Sequence, residues 1–329
     1  YDFYIINHIM PHIRNFKLGY IGSGPISNFH IPAIKQLGFK IDLFYSRNFD
    51  KAHKFSKDHK IIIPEKTFEN FISKSKNLDG IILSIKTDVT AKYLKMLCTL
   101  GKPIFVEKPG ALKSIDLKKI KKITNSKIYF LYNRRFYSSI TEGKNFVDSS
   151  KQCFASVKIP DSIKTIHQFF VNGCHVIDLL LFYFGDLSVV KSYKLKKNIG
   201  YYFLLKSKKQ DLVSCLLNWG SPQNFEINIF NEKNERLELR PLETSFFYNK
   251  MKKINPTKKN PIRSYIPELI KKKSTTFQGM KFKPGFTDQY SEVRDIIKKK
   301  KKNYTLCSLD SAIKVLYLME MILKKLKTK

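Results

Sequence analysis

The chain has 329 residues, enough for two domains with cores of their own, and its 43% hydrophobic and 27% charged residues exclude a disordered protein. Its formal net charge of +34 comes mostly from lysines spread along the whole sequence, which is typical of a composition bias. No helix-turn-helix, zinc-finger or RRM pattern accompanies that charge, so we expect no nucleic-acid partner. No apolar run approaches the ~20 residues that span a bilayer, so we expect no membrane partner.

The first residue is Tyr1 rather than Met, so we expect the true start to lie upstream and treat residues 1–16 as an N-terminal arm. The five cysteines are scattered and form no Cys-x-x-Cys pair, which argues against a disulfide framework and a zinc site. No signal peptide is visible. We therefore expect a cytoplasmic protein without a bound metal.

Short apolar strands alternate with helices after the arm. Strands are predicted at residues 18–21, 39–47, 61–65, 78–85, 103–109 and 127–136. Helices are predicted between them at residues 27–37, 48–59, 67–75, 86–101 and 114–125. This alternation predicts a doubly wound parallel sheet, and thus an α/β protein whose Rossmann dinucleotide-binding domain spans residues 17–133.

The rest of the chain, residues 134–329, has a different pattern. A helix at residues 175–185 is followed by strands, and two further helices are predicted at residues 285–300 and 308–326. The strands are predicted at residues 187–196, 200–207, 211–219, 224–231 and 235–243. Short polar turns join them, which predicts a C-terminal α+β domain with a large, mostly antiparallel open sheet. Residues 244–284 are predicted to be loop with short helices, and the last helices to pack back on the first domain.

A glycine turn follows the first strand. Gly22 permits a tight turn, and Gly24 lets the backbone approach a pyrophosphate at the start of the next helix, beside Pro25 and Ile26. Ser27 replaces the third glycine of the dinucleotide fingerprint. The alternative is an ordinary glycine turn.

The end of the second strand bears on cofactor choice. NAD enzymes place an acid there for the ribose 2′-OH, but this sequence has Ser46 and Arg47, and Asp42 lies too early in the strand. A hydroxyl and a guanidinium suit a 2′-phosphate, so we favour NADP over NAD. The alternative is that Arg47 is only a solvated loop residue.

The fifth strand ends in Glu107, Lys108 and Pro109. Open α/β sheets bind ligands at the carboxyl ends of their strands. There the Lys108 ammonium would stabilise charge developing on a substrate oxygen, with Glu107 holding or positioning it. A surface ion pair is the alternative.

Together these motifs resemble the Gfo/Idh/MocA family of sugar oxidoreductases. The resemblance extends over residues 17–325 and includes GYIGSGPISNFHIPAI, LDGIILSIKTDVTAKYL, GKPIFVEKP, YNRRFY and GCHVIDLLLFYFG. It implies a C-terminal sheet that forms the sugar pocket and makes homo-oligomer contacts, and it adds Ser84 to the cofactor-binding residues.

The resemblance also implies the catalytic roles. Lys108 matches a lysine near the transferred hydride, and His175 matches the general acid/base on the sugar hydroxyl. Val171 replaces the assisting Asp of the family, while Asp178 resembles a structural position. Candidates for a substitute polar neighbour are Asn172, Gln168 and His167.

Arg134 and Arg135 follow the sixth strand and are candidates for binding a substrate carboxylate or phosphate, or for a salt bridge between domains. We predict an NAD(P)-dependent oxidoreductase acting on a sugar, nucleotide sugar or polyol, with a place in surface-glycan biosynthesis. The alternative is a catalytically impaired dinucleotide-binding sensor or scaffold of the same fold. A polyanion binder driven by charge is a third hypothesis.

Overall fold

The computed structural model describes residues 16–161, 165–196, 199–275, 282–300 and 303–328. The N-terminal arm lies outside these residues except for Phe16, which is buried against Phe39.

A six-stranded sheet organises the first part of the chain. Its strands are β1 (Lys17–Ile21), β2 (Lys40–Tyr45), β3 (Gly80–Leu83), β4 (Ile104–Val106), β5 (Ile128–Phe130) and β14 (Cys307–Ser308). The order is β14-β5-β4-β3-β1-β2, and only β14 is antiparallel to its neighbour. The helices between the strands are α1 (Ser27–Gln36), α2 (Phe49–Asp58), α3 (Phe68–Lys74), α4 (Thr87–Leu97) and α5 (Ser114–Ile123). The predicted Rossmann fold is confirmed.

Two strand predictions in this domain are wrong in detail. Residues 61–65 form no strand, and only Glu65 makes an isolated bridge, to Tyr45. Pro64 has no N–H to donate, and the Ile63 side chain is 63% exposed, so the segment lacks both a ladder donor and a buried face. The strand predicted at residues 127–136 ends at Phe130 and gives way to a 3₁₀ turn at Asn133–Phe136.

A nine-stranded sheet organises the second part. Its strands are β6 (Cys153–Asp161), β7 (Leu187–Lys194), β8 (Gly200–Ser207), β9 (Leu212–Trp219), β10 (Glu226–Asn231), β11 (Arg236–Leu239), β12 (Thr244–Ile254), β13 (Ser264–Ser274) and β15 (Leu326–Thr328). The order is β13-β12-β11-β10-β6-β9-β8-β7-β15. Apart from the β6–β9 and β7–β15 pairs, neighbours are antiparallel, which confirms the predicted sheet type.

The prediction of loop for residues 244–284 is wrong for its first thirty or so positions. β12 and β13 are strands of 11 residues each that pair with one another, with register shifts near Tyr248. Most of their side chains are exposed, so lysines and apolar residues mix without the alternation that a half-buried strand requires.

Five helices complete the second part. They are α6 (Ser138–Asp148), α7 (Ile166–Gln168), α8 (Cys174–Phe184), α9 (Phe286–Ile297) and α10 (Leu309–Lys324). α8 and α10 join the inner face of the large sheet and one face of the first sheet in a single apolar cluster. α9 packs with α1 on the other face of the first sheet, through Phe286, Tyr290, Val293 and Ile296. The end of the chain therefore covers the first sheet.

Candidate active site

A cavity of about 310 Å³ opens beyond the carboxyl ends of β1, β3 and β4. The first domain contributes Ile26, Glu107 and Lys108, the turn before α8 contributes Asn172, and the first turn of α8 contributes His175. Sheets of this kind bind ligands at these strand ends. Lys108 and His175, which the sequence suggested as reactive groups, therefore line the same cavity although they come from different parts of the chain.

The glycine turn after β1 has room for a phosphate. Gly22 has φ +122, and a Cβ there would lie 1.9 Å from the Ser84 carbonyl oxygen. At Gly24, by contrast, a Cβ would meet no atom within 4 Å. α1 has no acidic residue in its first turn, so its N-terminus favours an anion. These features fit the pyrophosphate of a dinucleotide, held by the turn from Gly22 to Ile26.

Substituting the two glycines by alanine is expected to have opposite effects on stability and on dinucleotide binding. Gly22→Ala is expected to lower the free energy of unfolding by about 3 kcal/mol or more, because the new methyl group strikes backbone in a left-handed conformation. Gly24→Ala is expected to leave stability unchanged while it weakens dinucleotide binding. Urea denaturation and NADH fluorescence titration check the two effects. An unstable Gly24→Ala protein, or a stable Gly22→Ala protein, would contradict this assignment.

The end of β2 carries no acid. Ser46 shares a hydrogen bond with Ser23 of the glycine turn (Oγ to Oγ, 2.9 Å), and Arg47 is exposed. The Asp42 carboxylate lies 2.7 Å from Lys40 Nζ and 3.7 Å from Lys17 Nζ, at the start of the strands. The hydrogen bond from Lys40 lowers the pKa of Asp42. Asp42 is thus paired with lysines, far from the end of β2 where a ribose would bind.

Ser84 directly follows β3 and is almost fully buried. Its carbonyl oxygen contacts the glycine turn, and its hydroxyl lies beside the Tyr20 hydroxyl without a hydrogen bond of normal geometry. A buried hydroxyl with spare bonding capacity at this point suits contact with a bound dinucleotide.

Glu107 is bonded to a buried histidine and not to Lys108. Its Oε1 lies 2.9 Å from His30 Nε2, and His30 Nδ1 lies 2.7 Å from the Tyr290 hydroxyl. A carboxylate only accepts, so His30 donates from Nε2, and its other ring nitrogen, Nδ1, hydrogen-bonds to the Tyr290 hydroxyl. Lys108 directly follows Glu107 at this strand end. The hydrogen-bonded chain Glu107–His30–Tyr290 ties the strand end to α1, through His30, and to α9, through Tyr290. The sequence offered no signal for Tyr290.

Lys108 spans the cleft between the two parts of the chain. Its Nζ donates to the Val171 carbonyl oxygen at 2.9 Å. Val171 lies in a π-helical turn, Phe169–Gly173, that directly precedes α8. Such wide turns frequently occur at functional sites because they displace one residue from the helical repeat. The backbone of residue 171 thus contacts the lysine, although its side chain is apolar.

His175 lies in the first turn of α8 and is 9% exposed. Its ring packs edge-on against Tyr132, with centroids 5.9 Å apart. Burial and the nearby cations Lys108, Arg134 and Lys283 lower the pKa of His175 well below its ordinary value. The imidazole is therefore neutral near pH 7 and able to accept a proton.

Among the described residues, no side chain takes the place of the missing Asp by a hydrogen bond to His175 Nδ1. Its Nδ1 is buried without a hydrogen-bond partner among the described residues. Asn172 lines the cavity, but its amide donates to Asp161 at 3.1 Å. The exposed His167 instead lies 3.2 Å from Asp88. No hydrogen bond at Nδ1 within the described residues therefore fixes which ring nitrogen of His175 carries the proton.

The two neighbouring arginines have different roles. Arg135 forms a buried bidentate pair with Asp178, with bonds of 2.8 and 2.7 Å, and donates to the Thr305 carbonyl oxygen. Asp178 is therefore held in a buried ion pair, which fits the structural position that the family resemblance implied. Arg134 lines the cavity, where its guanidinium lies 4.4 Å from the centroid of the Phe225 ring. Arg135 thus forms a salt bridge, although within the second part of the chain and not between the two domains, and Arg134 is left as the candidate for ligand binding.

Asp178→Asn is expected to lower the free energy of unfolding by about 3–5 kcal/mol, because it leaves the buried Arg135 charge without its counter-ion. The exposed pair Lys144–Asp148 provides the control, since Asp148→Asn is expected to cost no more than about 1 kcal/mol. Urea denaturation measures both. If Asp178→Asn kept full stability and lost only turnover, Asp178 would be catalytic instead.

Sequence reasoning missed one wall of the cavity. Lys283 and Phe286 line it from the turn before α9. Asn133 Nδ2 donates to the Pro284 carbonyl oxygen at 3.0 Å. A Cβ on Gly285 would lie 2.3 Å from the Asn133 carbonyl oxygen, so glycine permits this close approach. The Pro-Gly pair indicates a turn, but nothing in the sequence links that turn to residue 133.

Comparison with known families identifies the first domain. Residues 16–131 match the model of an oxidoreductase family with an NAD-binding Rossmann fold, Gfo/Idh/MocA. These residues belong to the Gfo/Idh/MocA family. The predicted family is thus confirmed, and with it NAD-type dinucleotide binding and oxidoreductase class.

Solved structures that share this Gfo/Idh/MocA architecture match nearly the whole chain. The dehydrogenase MviM from Clostridium difficile is 20% identical, with a TM-score of 0.74 over 94% of this chain and 99% of its own. WlbA dehydrogenase from Bordetella pertussis, in complex with NADH and UDP-GlcNAcA, is 15% identical, with a TM-score of 0.73 over 95% and 96%. A super-repressor mutant of Gal80p from Saccharomyces cerevisiae is 17% identical, with a TM-score of 0.75 over 94% and 95%. At these identities the likeness shows the fold alone.

A search among curated proteins finds no match. Within the described residues, no helix has the length and apolarity needed to cross a membrane. The same part of the chain holds no cluster of three metal-binding side chains of the His, Cys, Asp or Glu type.

Proposed function

We propose that the protein is an NAD(P)-dependent oxidoreductase that transfers a hydride to or from a ring carbon of a sugar, nucleotide sugar or polyol. One observation carries the proposal: Lys108 and His175 line the same cavity beyond the dinucleotide-binding turn. When bound, the nicotinamide supplies the hydride acceptor or donor. The chain's own residues hold the substrate and handle the proton.

In this proposal Lys108 binds the reacting oxygen. Its ammonium already donates to a carbonyl oxygen across the cleft, which shows that it reaches the second part of the chain. A preorganised ammonium stabilises negative charge that develops on the substrate oxygen. His175 is buried and neutral, so it takes the hydroxyl proton during oxidation and returns it during reduction. Asn172 and Arg134 complete the substrate-binding residues.

The substrate class draws support from the similar structures. WlbA was crystallised with UDP-GlcNAcA, and a UDP-N-acetylglucosamine 3-dehydrogenase, GnnA from Acidithiobacillus ferrooxidans, has the same fold. We therefore favour nucleotide sugars and a place in surface-glycan biosynthesis. The five free, buried cysteines fit a reducing, cytoplasmic setting. Exposed Phe154, Leu212 and Phe230 on the large sheet fit a homo-oligomer contact.

NADP is the favoured cofactor because Ser46 and Arg47 end β2 where an NAD enzyme has an acid. Titration with NADPH and NADH tests this, and Arg47→Ala is expected to weaken NADPH binding by about tenfold while NADH binding stays the same. Equal effects on both cofactors would refute a 2′-phosphate contact.

The decisive test is turnover. Purified protein loaded with NAD(P) is assayed with UDP-sugars, free sugars and polyols, by the appearance or loss of NAD(P)H absorbance. Hydride transfer to or from any of them supports the proposal. Tight cofactor binding without turnover of any of these compounds would favour the sensor or scaffold. The observation behind that alternative is the apolar Val171 in place of the assisting Asp.

A further inference from the structure

More positively than negatively charged side chains line the cavity. Lys108, Arg134 and Lys283 all line it, and Glu107 is the one acid among its described lining residues. The Glu107 carboxylate is bonded to the buried His30, and the Lys108 ammonium to a carbonyl oxygen. Within the described part of the chain, neither Arg134 nor Lys283 forms an ion pair. Among the described residues, these two cations therefore line the cavity without a carboxylate in direct contact, although Glu107 lies near enough to act on Lys283.

The Arg134 guanidinium is shaped to receive a ligand. One face lies over the Phe225 ring at 4.4 Å, which fixes the plane of the group. Nη1 is buried and has no hydrogen-bond partner among the described residues. A buried charged donor without a partner is costly, because it has left water and gained no bond in return. An anion in the cavity would supply that bond.

Lys283 is held near Arg134 by the contact described above between Asn133 and the Pro284–Gly285 turn. Lys283 lies at the rim of the cavity, where its side chain remains exposed to solvent on one side. Its ammonium lies 5.2 Å from the centroid of the Phe29 ring. Partial burial lowers the pKa of Lys283; the Glu107 carboxylate opposes this, and the charges of Lys108 and Arg134 add to it. The like charges of Lys108, Arg134 and Lys283 repel one another, and an anion bound in the cavity would relieve that repulsion.

We propose that Arg134 and Lys283 form an anion subsite, so that the substrate carries a carboxylate or phosphate beside the carbon that reacts. The inference rests on the proposed function, because Lys108 and His175 define where the reacting carbon lies. A cavity of about 310 Å³ is small for a ligand site, so a group bound at Arg134 is within about one sugar ring of Lys108. The dinucleotide's own pyrophosphate would bind elsewhere, at Gly24 and the start of α1.

Calorimetric titration of the NAD-loaded protein tests the subsite with matched probes. These are glucose, glucuronate and glucose 6-phosphate, and the pair UDP-glucose and UDP-glucuronate. The wild-type protein is expected to bind at least one anionic probe more tightly than its neutral match. A preference for glucuronate over glucose, and for UDP-glucuronate over UDP-glucose, identifies a sugar carboxylate. A preference for glucose 6-phosphate identifies a sugar phosphate, and equal tight binding of both UDP-sugars identifies the nucleotide diphosphate.

Arg134→Gln and Lys283→Gln are each expected to weaken the preferred anionic probe by about 10- to 100-fold, the value of a charge-assisted hydrogen bond. Glucose and NADH binding should not change. Lys122→Gln, which removes an exposed charge from α5, is the matched control and should change nothing.

Three results would overturn the subsite. They are no preference for any anionic probe in the wild-type protein, equal losses for neutral and anionic probes in the variants, and a loss confined to NADH, which would assign both cations to the cofactor. The proposed function fails separately. Anion binding that depends on Arg134 and Lys283, without turnover of any sugar, would support the anion subsite and refute the proposed oxidoreductase activity.

Discussion

Lys108→Met is expected to lower kcat by about 10²- to 10³-fold, the usual effect of removing one donor that stabilises an oxyanion. The methionine keeps an unbranched apolar side chain of similar length but loses the ammonium. Affinity for NADH should stay at the wild-type value, because the glycine turn and α1 hold the dinucleotide. Steady-state kinetics on a substrate that supports turnover, with fluorescence titration of NADH, separates the two effects.

The same substitution removes the bond from Lys108 to the Val171 carbonyl oxygen, so it is also expected to lower the free energy of unfolding by about 1 kcal/mol. Urea denaturation must therefore accompany the kinetics. Lys122→Met serves as the control for removing an exposed lysine. A Lys108→Met protein that is folded and keeps its full rate would end the catalytic assignment of Lys108.

His175→Asn is expected to lower kcat by about 10²- to 10⁴-fold, because asparagine can hydrogen-bond but cannot accept the hydroxyl proton. The loss should be greatest in the direction of sugar oxidation near neutral pH, where the wild-type imidazole is an available base. Substrate and cofactor affinities should change much less than kcat. A fall in affinity with kcat unchanged would make His175 a binding residue only.

The lowered pKa of His175 also fixes how the protein responds to acid. In the folded state the ring stays neutral well below the ordinary value of about 6.5, so the acid limb of the rate profile should lie below that pH. The unfolded chain takes up the proton first, so this histidine costs stability as pH falls through about 6.5. NMR titration of His175 should show its pKa rising in Lys283→Gln, because one repelling cation is gone.

Local sequence patterns predicted those parts of the site that follow directly from strand ends. Gly22 and Gly24 lie in the turn after β1, and Lys108 follows β4 at the rim of the cavity. Each position depends on a few adjacent residues, whose strand and turn preferences are encoded locally. The placement of His175 came from family resemblance, since a histidine in an apolar helix does not by itself indicate a cavity.

Contacts between distant segments could not be predicted in this way. The partner of Glu107 is His30, 77 residues away, and the next member of that chain is Tyr290, a further 260 residues from His30. Lys283 reaches the cavity only because its turn docks on Asn133. The hairpin of β12 and β13 was not predicted because its strands are held by cross-strand pairing. They lack the buried face that would appear in the sequence as alternating apolar and polar residues.

The late return of the chain to its first sheet limits how this protein can be divided for experiments. A fragment ending at residue 133 would lack β14 at one edge of the six-stranded sheet. It would also lack α9, and with it the apolar cover over α1 and the hydroxyl that bonds to His30. The nucleotide-binding half is thus not a detachable module, and a fragment expressed to study it should retain residues through at least Ser308.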